Sequence, residues 1–339
     1  MTGRERIESL LAGRPADRVP FCPAVYEHKA ALIGTTPSRM SRDPALLELA
    51  LLREAELYRA DLLVVGCDVY NVEAEAAGCE VRFSETNEVP AIVSRVLEPG
   101  DDLSRLKLPD PEKDGRMPVF LEAGRRVARA LGGALVVRGA LSAPFSLAAE
   151  LVGAERLLLA LIDDPGWVAR LLDRAAAIVK AYGRAFHERG LGVILFDSHA
   201  APPLVSPRLY EEIILPATAS AVSYFQADLG IPLVPYIMGG DTGRLLDLIL
   251  ATGSNNILCD FRADLASFVD RLSGRPVLLR ANIDPRILLT ASPDEIRAKT
   301  REVLTIGRRH PGFLLGTGIL PYDIGPEKVI AVRDALDEK

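Results

Sequence analysis

The chain has 339 residues, of which 49% are hydrophobic and 25% are charged, so it can bury a sizeable core and is not a disordered or fibrous protein. Its formal charge is −6, and its 40 basic residues are scattered among 46 acids without forming a basic stripe, which argues against nucleic acid as a partner. No window approaches the roughly 18 uninterrupted apolar residues of a membrane span, and the N-terminus lacks the apolar stretch of a secretory signal. The sequence therefore predicts a cytoplasmic protein that does not bind membranes.

The cysteine pattern predicts neither a disulfide framework nor a structural zinc knuckle. The four cysteines lie far apart and form no CxxC pair. We expect reduced thiols, mostly in the core, at Cys22, Cys67, Cys79 and Cys259.

Short apolar runs alternate along the chain with long amphipathic stretches. The runs predict eight strands, at Arg18–Pro23, Leu62–Cys67, Ala134–Arg138, Leu191–Phe196, Pro232–Tyr236, Asn256–Cys259, Pro276–Leu279 and Gly312–Leu315. The amphipathic stretches predict helices at Pro44–Ala60, Met117–Leu131, Pro165–Arg189, Pro207–Asp228, Gly243–Ala251, Ala263–Leu272, Pro293–Arg309 and Pro326–Asp337. A capping helix over Met1–Ala12 precedes the first strand, and a hairpin of Glu80–Phe83 and Ala91–Val96 follows the second.

Eight apolar strands alternating with helices are typical of parallel strands that are buried on both faces, and eight strands can close a barrel. We therefore predict an α/β fold, a single (β/α)8 TIM barrel, and one domain over residues 1–339. Neither GxGxxG nor GxxxxGK[ST] follows any strand, so a doubly wound dinucleotide-binding sheet is the weaker alternative.

Active sites of such barrels lie at the carboxyl ends of the strands, where this sequence is rich in polar residues. If the barrel forms, we expect these side chains to converge on one cavity. The candidate catalytic residues are Asp68, Asp197 and His199. The candidate substrate-binding residues are Tyr26, Tyr70, Asn71, Tyr236, Asn282 and Thr317.

Several of these residues also have a purely structural interpretation. Asp68 and Asp197 each follow a buried strand and could be helix N-caps rather than reactive carboxylates. The loop residue His199 could act as a general base or a metal ligand, or could be an ordinary surface group. Glu73 and Glu75 could bind a metal or could be charges on a helix surface.

A series of short motifs lies along nearly the whole chain. They are Arg4–Arg6, Asp17–Pro20, Asp68, Gly78–Val81, Ser142–Leu147, Phe196–Ala200, Ser206–Pro207, Leu215–Pro216, Gly240–Asp241, Asn282–Pro285, Gly316–Gly318 and Pro326–Glu327. In this order they resemble the uroporphyrinogen decarboxylase superfamily. That superfamily contains the decarboxylases of haem synthesis and the zinc-dependent methyltransferases that exchange methyl groups with corrinoid proteins. The resemblance implies the same (β/α)8 barrel.

The sequence departs from the decarboxylases of that superfamily. These enzymes resemble one another in an arginine-rich segment after the first strand, which holds the acid groups of the substrate, but the corresponding Phe21–His28 contains no arginine. Asp68 and Ser198–His199 match their central aspartate and their Ser-His loop. Glu150 and Thr317 stand where they have a tyrosine and a histidine.

The sequence also departs from the best-known methyltransferases. Those enzymes hold zinc with a His-x-Cys-Gly turn after the fifth strand and a cysteine after the eighth, where this chain has Tyr236–Gly239 and Thr317. Relatives that demethylate methoxylated aromatics hold zinc with other combinations of Glu, Asp, His or Cys. By this resemblance the chain offers His28, Glu73, Glu75, Asp197 and His199 as N and O donors that zinc accepts, and of these we expect His28, Glu73 and His199 to be the ligands.

The leading hypothesis is a methyltransferase of a corrinoid-dependent system, which moves a methyl group from a small O-, N- or S-methylated substrate to a corrinoid protein. Tyrosines Tyr26, Tyr70, Tyr236 and Tyr322 would give its cavity an uncharged wall suited to a small substrate. One alternative is a cofactor-free decarboxylase of porphyrin biosynthesis, in which Asp68 stabilises a protonated pyrrole. Another is a non-catalytic barrel that binds a small ligand. A homodimer is compatible with each hypothesis.

Overall fold

The computed structural model describes residues 1–337, and its regular structure alternates strands with helices throughout. The strands are β1 Phe21–Ala24, β2 Leu62–Val65, β3 Glu80–Arg82, β4 Ala91–Ser94, β5 Val136–Ser142, β6 Gly192–Phe196, β7 Pro235–Ile237, β8 Asn256–Cys259, β9 Leu278–Ile283 and β10 Phe313–Ile319. The helices are α1 Gly3–Leu11, α2 His28–Ala31, α3 Pro37–Met40, α4 Pro44–Tyr58, α5 Asn71–Ala76, α6 Met117–Leu131, α7 Pro144–Val152, α8 Ala154–Asp163, α9 Pro165–His187, α10 Pro207–Leu209, α11 Leu215–Ser223, α12 Leu246–Ala251, α13 Leu265–Arg271, α14 Pro285–Thr290, α15 Pro293–Gly307 and α16 Pro326–Asp337.

Eight strands form one parallel sheet in the order β1-β10-β9-β8-β7-β6-β5-β2, and β3 and β4 form a separate antiparallel hairpin. The two end strands, β1 and β2, meet where the amide of Asp61 donates a hydrogen bond to the carbonyl oxygen of Phe21 at 2.8 Å. The sheet is therefore a nearly closed barrel with helices outside it, which confirms the predicted fold and the predicted hairpin.

Successive strand residues face two different cores. One set fills the barrel interior and includes Cys22, Val64, Ile194, Leu258 and Leu314. The alternate set packs outward against the helices as part of a larger core. Both faces of the strands are mainly apolar, because parallel barrel strands are covered on both sides.

Two predicted strands end too early because a polar residue interrupts the apolar run. The third predicted strand stops at Arg138, and the seventh stops before Arg280, whereas β5 and β9 both continue beyond these arginines. Both side chains are buried inside the barrel. A buried arginine is rare enough that hydrophobicity alone ends a predicted strand at the arginine or just before it.

The helix predicted over Pro207–Asp228 is interrupted by two π-helical turns, Tyr210–Ile214 and Tyr224–Asp228. Pro216 has no amide hydrogen for the helical ladder, and the first π turn ends two residues before it. The sequence gives no helix prediction for α7 and α8, the consecutive segments Pro144–Val152 and Ala154–Asp163.

The four cysteines are free and buried, as predicted. Within residues 1–337, no helix is both long enough and apolar enough to cross a membrane.

Candidate functional site

A cavity of about 550 Å³ lies at the carboxyl ends of the barrel strands. Its wall is mostly apolar and aromatic, formed by Ala24, Tyr26, Val69, Tyr70, Phe196, Ala201, Pro202, Pro203, Leu204, Ile237, Leu258, Phe261, Pro285 and Ile319. The polar side chains that line it are Ser198, Asp260, Arg262, Arg280 and Asn282. Concave sites of this size and character are typical of small-molecule binding.

Successive side chains of a strand point to opposite faces, so the position of a residue along its strand decides whether its side chain reaches this cavity. On β9, Arg280 and Asn282 are two residues apart and both line it. On β8, Leu258 faces the interior, and Asp260 follows two residues later on the same side. Residues of the opposite phase point into the helix layer.

Arg280 is the most unusual residue of the cavity. It is only 6% exposed, and no Asp or Glu within residues 1–337 lies at ion-pair distance from it. Its Nε donates to Oδ1 of Asn282 at 3.0 Å, and its Nη2 donates to the carbonyl oxygen of Thr317 at 3.3 Å. A Cβ atom at Gly316 would lie 2.5 Å from the Arg280 Nε, so the glycine provides the space that this guanidinium occupies.

Asp260 provides a carboxyl group to the same cavity. Its Oδ2 accepts a hydrogen bond from the amide of Gly240 at 2.7 Å. Burial raises the pKa of Asp260 above its ordinary value, and the backbone amides of Gly240 and Phe261 together with the charge of Arg262 partly offset this effect. A buried carboxyl group with a raised pKa is suited to donate a proton.

Tyr26 lies against the edge of Phe196, with ring centroids 5.7 Å apart. Its hydroxyl has no hydrogen-bond partner among the described residues, and burial raises the pKa of the phenol well above its ordinary value. The Tyr26 hydroxyl is therefore a neutral hydrogen-bond donor available to a ligand.

Tyr70 joins two loops at the rim of the cavity. Its hydroxyl donates to Oγ of Ser198 at 3.0 Å and accepts from the Ser198 amide at 3.1 Å. The edge of the His199 ring lies against it, with centroids 5.3 Å apart. The backbone of Tyr70 has a φ of 83°, a strained conformation for a bulky residue. Such strain is typical of functional loops.

The three candidate catalytic residues lie outside the cavity lining. Asp68 is buried beside Arg116, whose Nη2 lies 2.7 Å from its Oδ2. Burial raises the pKa of Asp68, while the charge of Arg116 opposes that shift. His199 faces Glu150, with Nε2 and Oε1 3.6 Å apart, and burial lowers the pKa of the imidazole.

Asp197 is completely buried on the outer side of β6, because it follows the inward-facing Phe196 by one residue. Its Oδ1 accepts from the amide and hydroxyl of Ser146, and its Oδ2 accepts from the hydroxyl of Tyr236 at 2.5 Å. Burial raises the pKa of Asp197 to about 6, against the effect of these donors. Asp197 thus anchors α7 to the sheet.

The expected zinc ligands do not form one site. Nε2 of His28 lies 2.6 Å from the Tyr58 hydroxyl, and its Nδ1 lies 2.9 Å from the carbonyl oxygen of Tyr322. Glu73 accepts from the Ser142 amide at 2.6 Å. In the part of the chain that the structure describes, no three His, Cys, Asp or Glu side chains are arranged to hold a metal. These residues do not fit a zinc ion, because their donor atoms are not gathered around one point and those of His28 are bonded to Tyr58 and Tyr322.

Three of the candidate substrate-binding residues, Tyr26, Tyr70 and Asn282, line the cavity, and the other three do not. Of those others, Asn71 donates to the carbonyl oxygen of Pro90 and thereby holds the hairpin. The Tyr236 side chain is buried against Asp197 and Tyr210, and the Thr317 hydroxyl accepts from the Ala24 amide at 3.1 Å. The expected uncharged wall also needs correction, because Arg262 and Arg280 line the cavity.

Neither Arg280 nor Asp260 is among the predicted site residues, although one signal for them is present in the sequence. Arg280 and Asn282 are polar and two residues apart at the end of an apolar run, and Asp260 directly follows the preceding strand. Spacing of two residues places side chains on one face of a strand.

These features define a (β/α)8 barrel with a small-ligand cavity at the carboxyl end of its strands. The family model described as Uroporphyrinogen decarboxylase (URO-D) matches residues 2–339, so the chain belongs to the uroporphyrinogen decarboxylase family.

The chain is similar to proteins of two kinds. The chain is 27% identical to a methylcobamide:CoM methyltransferase, MtbA, of Methanosarcina acetivorans, over an alignment of 314 residues that covers 90% of each protein. It is 33% identical over 254 residues to the uroporphyrinogen decarboxylase of Syntrophotalea carbinolica, which covers 71% of each. Among solved structures, a methyltransferase from Methanosarcina mazei superposes with a TM-score of 0.88 at 23% identity, over 99% of this chain and 98% of the other. The likeness to both groups establishes the family without separating its two activities.

Proposed function

We propose that the protein is a methyltransferase that removes a methyl group from a small O-, N- or S-methylated substrate and acts with a corrinoid protein. The observation that carries this proposal is the character of the cavity wall. Ala24 and Tyr26 occupy the wall in the segment where the resemblance places the acid-binding arginines of the decarboxylases. Two arginines, Arg262 and Arg280, line the cavity, which is few for a porphyrinogen that carries eight carboxylates.

The substrate would sit between apolar and aromatic side chains, with the methylated heteroatom near Asp260. When the bond from this heteroatom to the methyl carbon breaks, the electron pair stays on the heteroatom. Asp260 can donate its proton there, since burial raises its pKa and keeps a larger fraction of the carboxyl group protonated. The Tyr26 hydroxyl can add a hydrogen bond to the developing negative charge.

The cavity must also be open to the methyl acceptor. A corrinoid carried by a partner protein would supply the nucleophile that takes the methyl group. Leu204 and Ile319 line the cavity and are each 57% exposed, so this side of the barrel presents an apolar rim. An apolar rim around an open site is suited to contact with another protein.

The test is methyl transfer to reduced cobalamin by the purified protein under anaerobic conditions. Methoxylated aromatics, methylamines and methyl thioethers are supplied separately, and methylcobalamin is followed by its absorbance. We expect one of these classes to be demethylated. Asp260→Asn should lower the rate by roughly 100-fold, because it removes the proton donor while keeping the shape of the side chain.

Asp241→Asn serves as the matched control, since Asp241 is an exposed aspartate of the preceding loop that does not line the cavity. It should leave the rate within about twofold of the parent. A parallel assay supplies uroporphyrinogen and measures released CO2. Decarboxylation without methyl transfer would overturn the proposal in favour of the decarboxylase, and inactivity in both assays would favour the non-catalytic barrel.

A further inference from the structure

We propose that Arg280 and Asn282 form an oxyanion-binding subsite inside the cavity, so that the substrate is a small acid whose anionic end points into the barrel. The shared chemistry is that of a carboxylate, sulfonate or phosphate group. This inference rests on the proposed function only for the identity of the reaction. The binding that it predicts can be measured without any turnover.

The surroundings of its charge distinguish Arg280 from the other buried arginines of the chain that the structure describes. Another buried arginine, Arg116, lies against the carboxylates of Asp68 and Glu75. Arg138, which lies inside the barrel nearer its amino end, donates to the carbonyl oxygens of Val193 and Leu233. Arg280 has no carboxylate partner in residues 1–337, yet it borders an open cavity. A buried cation without a counterion is costly, and an anionic ligand would remove that cost.

Arg280 and Asn282 both keep hydrogen-bond donors that are free to bind a ligand. The hydrogen bonds of Arg280 use Nε and Nη2, and its Nη1 has no acceptor among the described residues. Asn282 accepts the Arg280 Nε–H through Oδ1, which leaves its two Nδ2 hydrogens without an acceptor in the described chain. A guanidinium and an amide that both present N–H groups to one cavity match the acceptor oxygens of an oxyanion.

Arg280 lies deeper in the barrel than Asp260, the proposed proton donor. Arg280 is paired in register with Leu258 of β8, and Asp260 lies two residues further toward the carboxyl end. Two strand residues span roughly 6–7 Å, so the guanidinium starts from a deeper level than the Asp260 carboxyl group. Tyr26, Phe196 and Leu258 supply an apolar wall. An acid bound through Arg280 would therefore direct an apolar body and its methylated end toward Asp260 and the rim.

The experiment measures binding by isothermal titration calorimetry with defined probes. These are 4-methoxybenzoate, 4-methoxybenzenesulfonate, inorganic phosphate and the neutral 4-methoxybenzamide. We expect one or more of the anions to bind at least tenfold more tightly than the amide. We also expect Arg280→Gln to weaken anion binding by at least about tenfold, because it removes a charge-assisted hydrogen bond. Comparison of the three anions shows whether the subsite binds an organic acid or free phosphate.

Two further variants keep the test decisive if Arg280→Gln does not fold. Asn282→Asp preserves the shape of the side chain, places a carboxylate 3.0 Å from the Arg280 Nε, and should abolish the preference for anions. Arg286→Gln is the control, because Arg286 is an exposed arginine of neighbouring α14 that is paired with Asp284, and it should change affinity less than twofold. Equal affinity for the acid and the amide, an unaltered anion affinity in Arg280→Gln or Asn282→Asp, or no binding of any anion would overturn the subsite. Methyl transfer from a neutral substrate would support the proposed function but contradict the oxyanion-binding subsite.

Discussion

Glu73 and Asp197 are buried carboxyl groups in the layer between sheet and helices, outside the ligand cavity. Burial raises the pKa of Glu73 from 4.5 to about 7 and that of Asp197 from 3.8 to about 6. Both pKa values are higher in the folded state than in the unfolded state. The two carboxyl groups therefore make their full contribution to the free energy of unfolding only when they are protonated. This contribution is lost as the pH rises through the folded-state values. The free energy of unfolding should therefore fall between about pH 4 and pH 7 on account of these two groups.

Glu73→Gln tests this linkage at one residue. Glutamine keeps the oxygen that accepts from the Ser142 amide but cannot ionise. We expect a flatter dependence of unfolding free energy on pH, with the variant gaining on the parent by an amount on the order of 1–3 kcal/mol between pH 5 and pH 8. Urea denaturation at several pH values measures the free energy of unfolding of the parent and the variant. Glu211→Gln, at an exposed position, should keep the parental slope, and an unchanged slope in Glu73→Gln would refute the argument.

At the scale of elements, β5 and α9 pack closely because Gly139 has no side chain. A Cβ atom at this position would lie 2.3 Å from the ring of Phe186, which is fully buried. The ring thus fills the space above the strand, and the close approach of α9 to the barrel depends on this glycine. The neighbouring Arg138 uses Gly192 of β6 in a similar way, since a Cβ there would lie 2.6 Å from its Nη1.

Gly139→Ala should destabilise the protein by about 1–3 kcal/mol, because an added methyl group must displace a close-packed ring. The double variant with Phe186→Leu should recover part of that loss, since the smaller side chain leaves room for the methyl group. Thermal unfolding compares the variants. Gly133→Ala is the control, because a Cβ there meets no atom within 4 Å, and it should unfold close to the parent. Additive effects in the double variant would contradict a direct clash.

At the scale of the whole molecule, closure of the barrel depends on Asp61. This residue is 1% exposed and lies at the seam between β1 and β2. Its Oδ2 accepts from the Phe21 amide at 2.7 Å and from Nη1 of Arg18 at 2.7 Å, and its Oδ1 accepts from Nη1 of Arg6 at 2.9 Å. One carboxylate thus joins the capping helix α1 to both strands that complete the barrel.

Asp61→Ala should cost about 3–5 kcal/mol, because it leaves the Phe21 amide without its side-chain acceptor and removes the buried carboxylate that pairs with both Arg6 and Arg18. Chemical denaturation monitored by circular dichroism gives the free energy, and proteolysis should show earlier cleavage near α1. Asp163→Ala, at an exposed position on α8, should be nearly neutral. A loss of less than about 1 kcal/mol in Asp61→Ala would show that the seam does not depend on this carboxylate, since such a value is typical of surface ion pairs.

The amino-acid sequence determined the architecture. Apolar runs and amphipathic stretches have distinct periods, so they are readable locally, and Met117–Leu131 and Asn256–Cys259 agree with the structure at both ends. The order of short motifs likewise indicated the family. Tyr26, Tyr70 and Asn282 were assigned to the cavity because they follow strands, and barrel sites form at those ends.

The tertiary structure alone decided which polar residues face the cavity. Barrel strands are apolar on both faces, so their composition does not reveal which alternate set points inward. Asp197, Tyr236 and Thr317 have the outward phase, whereas Asp260 and Arg280 have the inward one. A shift of one residue moves a side chain from the ligand to the helix layer, and only the packing of all eight strands fixes that choice.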